Sequence, residues 1–142
     1  MKKISRDWRL GYLYISVKDT DASIRYYCEV LGAKLLWRMK RFGAVVAALQ
    51  VHPKDPILLL NDHHSPPRTE LIFIVEDAIK SQKKLQDCGA RNLSHPMGAA
   101  TGDAAVFTDL DGNPFAITDH SKLETFLEAV EKDRRNERQE KS

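Results

Sequence analysis

The chain has 142 residues, of which 42% are hydrophobic, enough to form one compact domain or two small interlocked modules. A net charge of +2 is too small to indicate nucleic-acid binding. No apolar run reaches the ~20 residues needed to span a bilayer, and the first residues lack an apolar signal segment, so we expect a cytoplasmic protein without membrane contact. Cys28 and Cys88 have no metal-type spacing and are expected to be free thiols.

The first half of the chain combines strand-like and helical patterns. Residues 12–17 form a β-rich run, and Ile24, Tyr27, Cys28 and Leu31 then recur at the spacing of one helix face. Gly32 is suited to end this helix. Three further strand-like runs are predicted, at residues 34–39, 44–51 and 57–60.

The same pattern restarts after residues 62–68, a polar segment that we interpret as a linker. A strand is predicted at residues 71–75, followed by a helix at 78–88 that Gly89 ends. A short strand is expected near residues 91–93. The chain then forms a hairpin, because Asp-Gly and Gly-Asn are turn dipeptides and Pro114 suits the first position of a strand.

Landmarks in the two halves repeat at almost one spacing. Val17 and Val75 are 58 residues apart, Gly32 and Gly89 are 57 apart, and the prolines at 56 and 114 are again 58 apart. The repeat predicts a duplicated βαβββ unit. We therefore expect a single domain over residues 1–142, with modules at about 10–61 and 69–119 and a helical tail at 120–142.

The hairpin sequence Asp109-Leu-Asp-Gly-Asn113, placed near the end of a duplicated chain of this size, resembles the last hairpin of the vicinal oxygen chelate superfamily. That superfamily includes glyoxalase I, bleomycin-resistance proteins, extradiol dioxygenases and methylmalonyl-CoA epimerase. The resemblance covers about residues 10–119. It implies an α+β fold in which two βαβββ modules form one curved, cup-shaped mixed sheet.

The resemblance also implies four positions at which metal-dependent members hold one divalent ion, two from each module. In this chain these positions are occupied by Tyr12, Leu58, Glu70 and Ala116. Leucine and alanine have no donor atom, and a catalytic site keeps about three protein ligands, so we predict no metal and no cofactor. The alternative is a rearranged site built from Glu70 and a histidine of the linker, either His63 or His64.

Without a metal, the cup would offer a largely apolar and aromatic surface. If Tyr12 and Glu70 face inward, alternation along their strands adds Tyr14, Ser16, Ile72 and Ile74. Leu60 and Thr118 would join the same surface, and Trp37 would cover its mouth. The predicted ligand-binding residues are Tyr12, Tyr14, Trp37, Leu58, Glu70, Ile72 and Ala116. The alternative is that these side chains fill the cup as core.

Glu70 argues against a dry core, because a carboxylate among apolar groups is costly unless it is paired or protonated. A hydrogen bond from Tyr12 would satisfy it structurally, and a cationic or hydrogen-bond-donating ligand would satisfy it functionally. Burial would also raise its pKa, which makes Glu70 the candidate general base. No other catalytic residue is predicted.

The resemblance, taken together with these residues, implies three possible functions. The first is a metal-independent protein of the bleomycin-resistance type, a homodimer that sequesters an aromatic or cationic small molecule; the slightly basic charge argues against a cationic drug. The second is a metal-dependent lyase, isomerase or dioxygenase with a rearranged site. The third is a structural module whose cup is filled.

The tail has its own pattern. Ser121 and Glu124 have the spacing of a capping box, and Leu123, Phe126, Leu127 and Val130 form a short apolar stripe. Almost every residue beyond Glu131 is charged. We expect a helix that packs with its first three turns and then frays, or alternatively a helix that forms a dimer contact.

Overall fold

The structure is a computed structural model that describes residues 8–41, 43–92, 97–98 and 101–140. A first module contains four strands and a helix, in the order β1 (Arg9–Ser16), α1 (Thr20–Leu31), β2 (Lys34–Arg41), β3 (Ala44–Gln50) and β4 (Ile57–Asn61). Within this module the strand order is β2-β3-β4-β1. β1 and β4 are parallel, whereas β2-β3 and β3-β4 are antiparallel.

The second module repeats this plan with one strand divided. Its elements are β5 (Arg68–Ile74), α2 (Ala78–Asp87), β6 (Arg91–Asn92), β7 (Met97–Gly98), β8 (Asp103–Thr108) and β9 (Pro114–Thr118). The order is β5-β9-β8-β6, with β7 also paired to β8, and β5 and β9 are parallel. A final helix, α3, spans Leu123–Glu140. The predicted α+β fold of two βαβββ modules with mixed sheets and a C-terminal helix is confirmed.

Equivalent hydrogen bonds show how the two modules correspond. The Val17 N–H donates to the Asn61 carbonyl at 2.8 Å, and the Val75 N–H donates to the Thr118 carbonyl at 2.9 Å. Each helix begins after an aspartate N-cap, Asp19 or Asp77, whose carboxylate accepts a backbone N–H three residues later. The first strands are therefore offset by 58 residues, but the last strands are offset by 57.

Each sheet packs one face against the helix of its own module. In the first module Ile24, Tyr27 and Cys28 of α1 pack against buried residues of β3 and β4, among them Leu49 and Leu60. In the second module α2 covers the buried residues Ala105, Phe107 and Ile117 together with part-buried Phe73 and Phe115. Cys28 is half-buried and Cys88 is exposed, and both are free thiols.

The chain divides into two compact units, and each unit includes one end of the chain that is distant in sequence from the rest of that unit. One unit joins Glu70–Leu127 to the segment that ends at Gly11, and the other joins Tyr12–Thr69 to the segment that begins at Glu128. Residues of α3 after Leu127 therefore belong with the first module. The Arg134 guanidinium donates to the Leu36 carbonyl of β2, and Arg38 of β2 lies 3.3 Å from Glu137.

Two predictions for the tail are wrong. The helix does not fray after three turns: it continues to Glu140, because its charged half finds partners on β2. Ser121 does not cap it, because α3 begins only at Leu123 and the Ser121 hydroxyl donates to Asp119 at 2.7 Å. The stripe is partly confirmed, since Phe126 and Val130 are buried but Leu127 is exposed. Within the part of the chain that the structure describes, no helix has the length and apolar character required to cross a membrane.

Candidate functional site

One row of side chains crosses the whole sheet of the first module. Tyr14 pairs with Leu59, Leu59 pairs with Ala48, and Ala48 pairs with Trp37, so all four side chains lie on the same face. The opposite face carries Leu49 and Leu60, which pack against α1, so the row lies on the side of the sheet that α1 does not cover. Two aromatic rings thus lie at the ends of an aliphatic row.

A β-bulge is responsible for the position of Trp37. Leu35 pairs with Leu49, but Trp37 pairs with Ala48, so Leu36 is an extra residue in β2. Without this residue, continued pairing would set Trp37 opposite Ala47, which is fully buried on the α1 side. The bulge therefore turns the indole to the uncovered face and turns Arg38 towards α1.

Rows on either side extend this surface, which we call the aromatic face. Tyr12 pairs with Ile57 on one side, and Ser16, Asn61, Val46 and Met39 form a row on the other. The aromatic face consists of Tyr12, Tyr14, Ser16, Trp37, Met39, Val46, Ala48, Ile57, Leu59 and Asn61. None of these side chains is charged, and most are half-buried.

The register corrects two predicted positions. Leu58 pairs with Leu13 and Leu60 pairs with Ile15, and both leucines contact the core beneath α1, so neither shares a face with Tyr12. The residue that occupies the predicted position on β4 is Leu59. The error arises because the last strands repeat at 57 residues rather than 58, and a shift of one residue moves a side chain to the other face.

The second module presents a comparable surface on the side of its sheet away from α2. Ile72 pairs with Ala116 and Ile74 with Thr118, and Glu70 lies on the same face by alternation. Glu70 and Ala116 are each 7% exposed. The structure thus places Tyr12, Tyr14 and Trp37 together on the first module, and Glu70, Ile72 and Ala116 together on the second.

One hydroxyl on each of the two faces differs in its hydrogen bonding. The Thr118 hydroxyl, next to Ala116 on the second module's face, donates to the Asp103 carbonyl at 3.0 Å. On the aromatic face the Ser16 side chain is 5% exposed, and its buried hydroxyl has no hydrogen-bond partner among the described atoms. A buried hydroxyl in this state is able to bond a ligand or an ordered water.

Comparison with known proteins identifies the family. Residues 9–117 match the model of the glyoxalase/bleomycin resistance protein/dioxygenase superfamily. The chain belongs to this superfamily. It is 28% identical over 123 residues to a catechol-2,3-dioxygenase of Bacillus subtilis, an alignment that covers 80% of this chain but only 42% of that enzyme.

Two solved structures have the same fold. A methylmalonyl-CoA epimerase from Mycobacterium tuberculosis superimposes with a TM-score of 0.68 at 20% identity, covering 79% of this chain and 87% of the epimerase. A hypothetical protein from Bacillus halodurans superimposes with a TM-score of 0.69 at 14% identity, covering 80% of this chain and 95% of that protein. The whole of α3 lies beyond the residues that match the superfamily model.

The residues at the superfamily's metal positions do not fit a divalent ion. The first module offers a phenol at Tyr12 and an aliphatic side chain at Leu59, and the second offers a carboxylate at Glu70 and a methyl group at Ala116. At these positions each module by itself supplies at most one side-chain oxygen donor, whereas a divalent ion needs several protein ligands. Among the described residues, no group of three or more His, Cys, Asp or Glu is arranged to hold a metal.

The linker histidines and a pocket near α2 are separate from the predicted ligand-binding residues. His63 and His64 lie in the exposed turn after β4, with their rings 6.2 Å apart. A pocket of 260 Å³ lies near the end of α2, lined by Gly89, Ala90, Arg91, Thr108, Asp109 and Leu110. It contains none of the predicted site residues, and the Asp109 carboxylate in its wall is already bonded to Asp111 and Asn113 of its own turn.

Proposed function

We propose that this protein binds a small aromatic molecule on the aromatic face of the first module and that binding requires no divalent ion. The observation that carries the proposal is the register row from Tyr14 through Leu59 and Ala48 to Trp37. Aromatic rings prefer offset-stacked or edge-on contacts with other rings, and an aliphatic floor between two rings suits a flat apolar ligand. A largely apolar surface with a few polar groups is the usual composition of a small-molecule site.

Charge favours an uncharged aromatic ligand over an aromatic cation. The aromatic face carries no carboxylate, and Lys34, which pairs with Gln50 beyond the Trp37 row, adds a positive charge at this margin. Indole and phenol rings do attract cations, but that attraction is worth only about 0.5–1 kcal/mol at exposed sites. The Ser16 hydroxyl supplies one hydrogen bond, so we expect the ligand to carry a hydroxyl or carbonyl group.

The relatives agree with a small-molecule role. The Bacillus subtilis relative is named for catechol, an aromatic diol, although this chain matches less than half of that enzyme. An epimerase of the same fold from Streptomyces coelicolor is described in complex with 2-nitronate-propionyl-CoA. These names support a bound organic molecule, and the residues of the aromatic face make an aromatic one the best match.

A second function is favoured by Glu70. Its carboxylate is 7% exposed and shares a face with Ile72 and Ala116 on the second module. A buried carboxylate is the kind of group that enzymes use as a general base. The alternative is therefore an enzyme that removes a proton from its substrate through Glu70 or that binds a metal through Glu70.

Calorimetry and tryptophan fluorescence on metal-free protein distinguish these functions. We expect uncharged 2-naphthol to bind with one-to-one stoichiometry and to quench Trp37, and phenyltrimethylammonium to bind more weakly. Trp37→Leu should abolish 2-naphthol binding. Trp8→Leu is the matched control, because Trp8 packs against Phe73 of the second module, with ring centroids 6.0 Å apart. Equal binding by wild type and Trp37→Leu would contradict the proposal.

The same protein tests the metal alternative. We expect divalent nickel, cobalt, manganese, iron and zinc to bind no more tightly than about 1 mM. Stoichiometric binding at about 1 μM that Glu70→Ala abolishes would reject metal-independent binding and favour the enzyme. In that case lyase, isomerase and dioxygenase assays become the next step.

A further inference from the structure

We propose that the C-terminal helix is a latch that holds the β2 bulge and thereby keeps Trp37 on the aromatic face. The proposal rests on the proposed function, because it concerns the residue that we expect to contact the ligand. It assigns positioning roles to Arg134 and Glu137 of α3.

The first contact of the latch is made to the bulge itself. Leu36 is the extra residue of the bulge, so its backbone lies outside the regular ladder between β2 and β3. The Leu36 carbonyl accepts a hydrogen bond from the Arg134 guanidinium, which is 98 residues away in the sequence. A carbonyl in a bulge needs a partner if the bulge is to persist in a half-buried position, and α3 supplies a charged donor.

The second contact is made two residues along the same strand. Arg38 donates to both carboxylate oxygens of Asp21 on α1, at 2.7 and 3.0 Å, and its third nitrogen donates to Glu137 at 3.3 Å. A two-pronged arginine–carboxylate pair fixes direction as well as distance. Arg38 is thus held towards α1 by one partner and towards α3 by the other.

The spacings of the two elements match. Arg134 and Glu137 are three residues apart and lie on one face of α3. Their partners, Leu36 and Arg38, are two residues apart in β2 and flank Trp37. The helix therefore contacts β2 on both sides of Trp37.

The latch selects between two registers of β2. With the bulge, Trp37 pairs with Ala48 on the aromatic face and Arg38 pairs with Ala47 on the α1 side, within reach of Asp21. A regular β2 would exchange these faces, since a slip of one residue reverses every side chain. The indole would then meet the covered α1 side, and Arg38 would lose Asp21. α3 makes both contacts in the bulged register, so we expect it to favour that register.

The latch lies outside the superfamily match, which ends at residue 117. The superfamily fold thus supplies the sheet, and the extension supplies the contacts that set one ligand-facing side chain. Release of α3 would lower affinity without removing any residue of the aromatic face.

Fluorine NMR of full-length protein labelled with 5-fluorotryptophan tests the latch directly. The chain has two tryptophans, so Trp8→Phe assigns the resonance of Trp37. In Arg134→Met the Trp37 resonance should shift or broaden while the Trp8 resonance stays unchanged. Arg134→Lys, which keeps one donor, should give a smaller change. Arg135→Met is the matched control, because Arg135 is an exposed neighbour on α3, and it should change neither resonance.

Ligand binding gives the second readout. We expect the affinity for 2-naphthol to fall about tenfold in Arg134→Met and less in Glu137→Gln, with no change in Arg135→Met. An unchanged Trp37 resonance in the Arg134→Met/Glu137→Gln double variant would overturn the latch. If wild type failed to bind 2-naphthol while the resonance still moved, the proposed ligand would be wrong and the latch would stand.

Discussion

The Asp119 carboxylate accepts a hydrogen bond from the Ala78 backbone N–H at 2.9 Å, and so joins the end of β9 to the first residue of α2. Its other oxygen accepts from the Asp103 N–H at 3.1 Å and from the Ser121 hydroxyl at 2.7 Å. Asp119 is only 4% exposed. One buried carboxylate therefore fixes the start of a helix, the start of a strand and the chain that leads into α3.

Asp119→Ala should destabilise the protein strongly, because it leaves buried donors without an acceptor. Hydrogen bonds to charged groups are each worth about 1.5–3 kcal/mol, so we expect a loss of about 3 kcal/mol in the free energy of unfolding. Urea denaturation measures this loss. Asp62→Ala is the control, because Asp62 accepts from Val45 at the equivalent position of the first module but is exposed. Equal losses would show that burial of Asp119 is unimportant.

The same carboxylate predicts an acid dependence of stability. Burial raises the pKa of Asp119, but hydrogen bonds from Ala78, Ser121 and Asp103 outweigh it and hold the pKa below the ordinary value of 3.8. A depressed pKa in the folded state stabilises the fold above the unfolded value, and this contribution is lost as the pH falls through the folded value. Below about pH 4, wild-type stability should therefore fall more steeply than that of Asp119→Asn.

Among the glycines whose surroundings the structure describes, Gly102 should tolerate alanine least. A methyl group on Gly102 would overlap with the backbone carbonyl and the carboxylate of Asp119, and backbone cannot move aside as a flexible side chain does. Overpacking typically costs about 1–3 kcal/mol, and we expect the upper end. Gly43→Ala is the comparison: Gly43 has a φ of 77° but open space around it, so left-handed strain alone should cost about 1 kcal/mol. Thermal unfolding of both variants should reproduce this order.

Adjacent leucines of β4 provide a test of the register. Leu60 is fully buried under α1, so Leu60→Ala should cost about 2–5 kcal/mol of stability. Leu59 is half-buried on the aromatic face, so Leu59→Ala should cost about 1 kcal/mol but should weaken 2-naphthol binding. A larger stability loss at Leu59 than at Leu60 would mean that the faces are assigned the wrong way round.

His120 should make stability fall in mildly acidic solution. Burial and the charge of Arg9 lower the pKa of His120 below the ordinary value of 6.5, although the charge of Asp119 acts in the opposite direction. The folded state therefore favours the neutral ring, which stabilises the fold above pH 6.5 and is lost as the pH falls through the folded value. His120→Gln should flatten the stability curve between about pH 7 and 5, measured by urea denaturation across that range.

The repeat made most of the fold predictable from the sequence, and the same repeat caused the error at the site. Val17 and Val75 are equivalent in the structure, because each donates its backbone N–H to the last residue of the last strand in its own module. Pro56 and Pro114 are not equivalent, since Pro114 is the first residue of β9 whereas β4 begins at Ile57. Matching the prolines shifts β4 by one residue, and with a period of two this exchanges Leu58 for Leu59.

The bulge and the latch had no comparable signal in the sequence. The extra residue Leu36 looks like any other aliphatic residue in a strand, because a bulge is a property of the pairing with β3. Arg134 and Glu137 lie among many charges of both signs, a pattern that usually indicates a solvated helix face. Their role depends on a partner almost a hundred positions away, and only the fold brings that partner close.

The contact between Arg134 and Leu36 should also limit association between copies of this protein. β2 lies at the edge of its module's sheet, and an edge strand offers backbone groups to which a further strand can add. α3 occupies one of these groups with a cation and brings a dense set of mixed charges alongside it. A chain shortened after residue 127 would expose that edge. We expect such a chain to be less soluble, because β2 of one copy could pair with β2 of another.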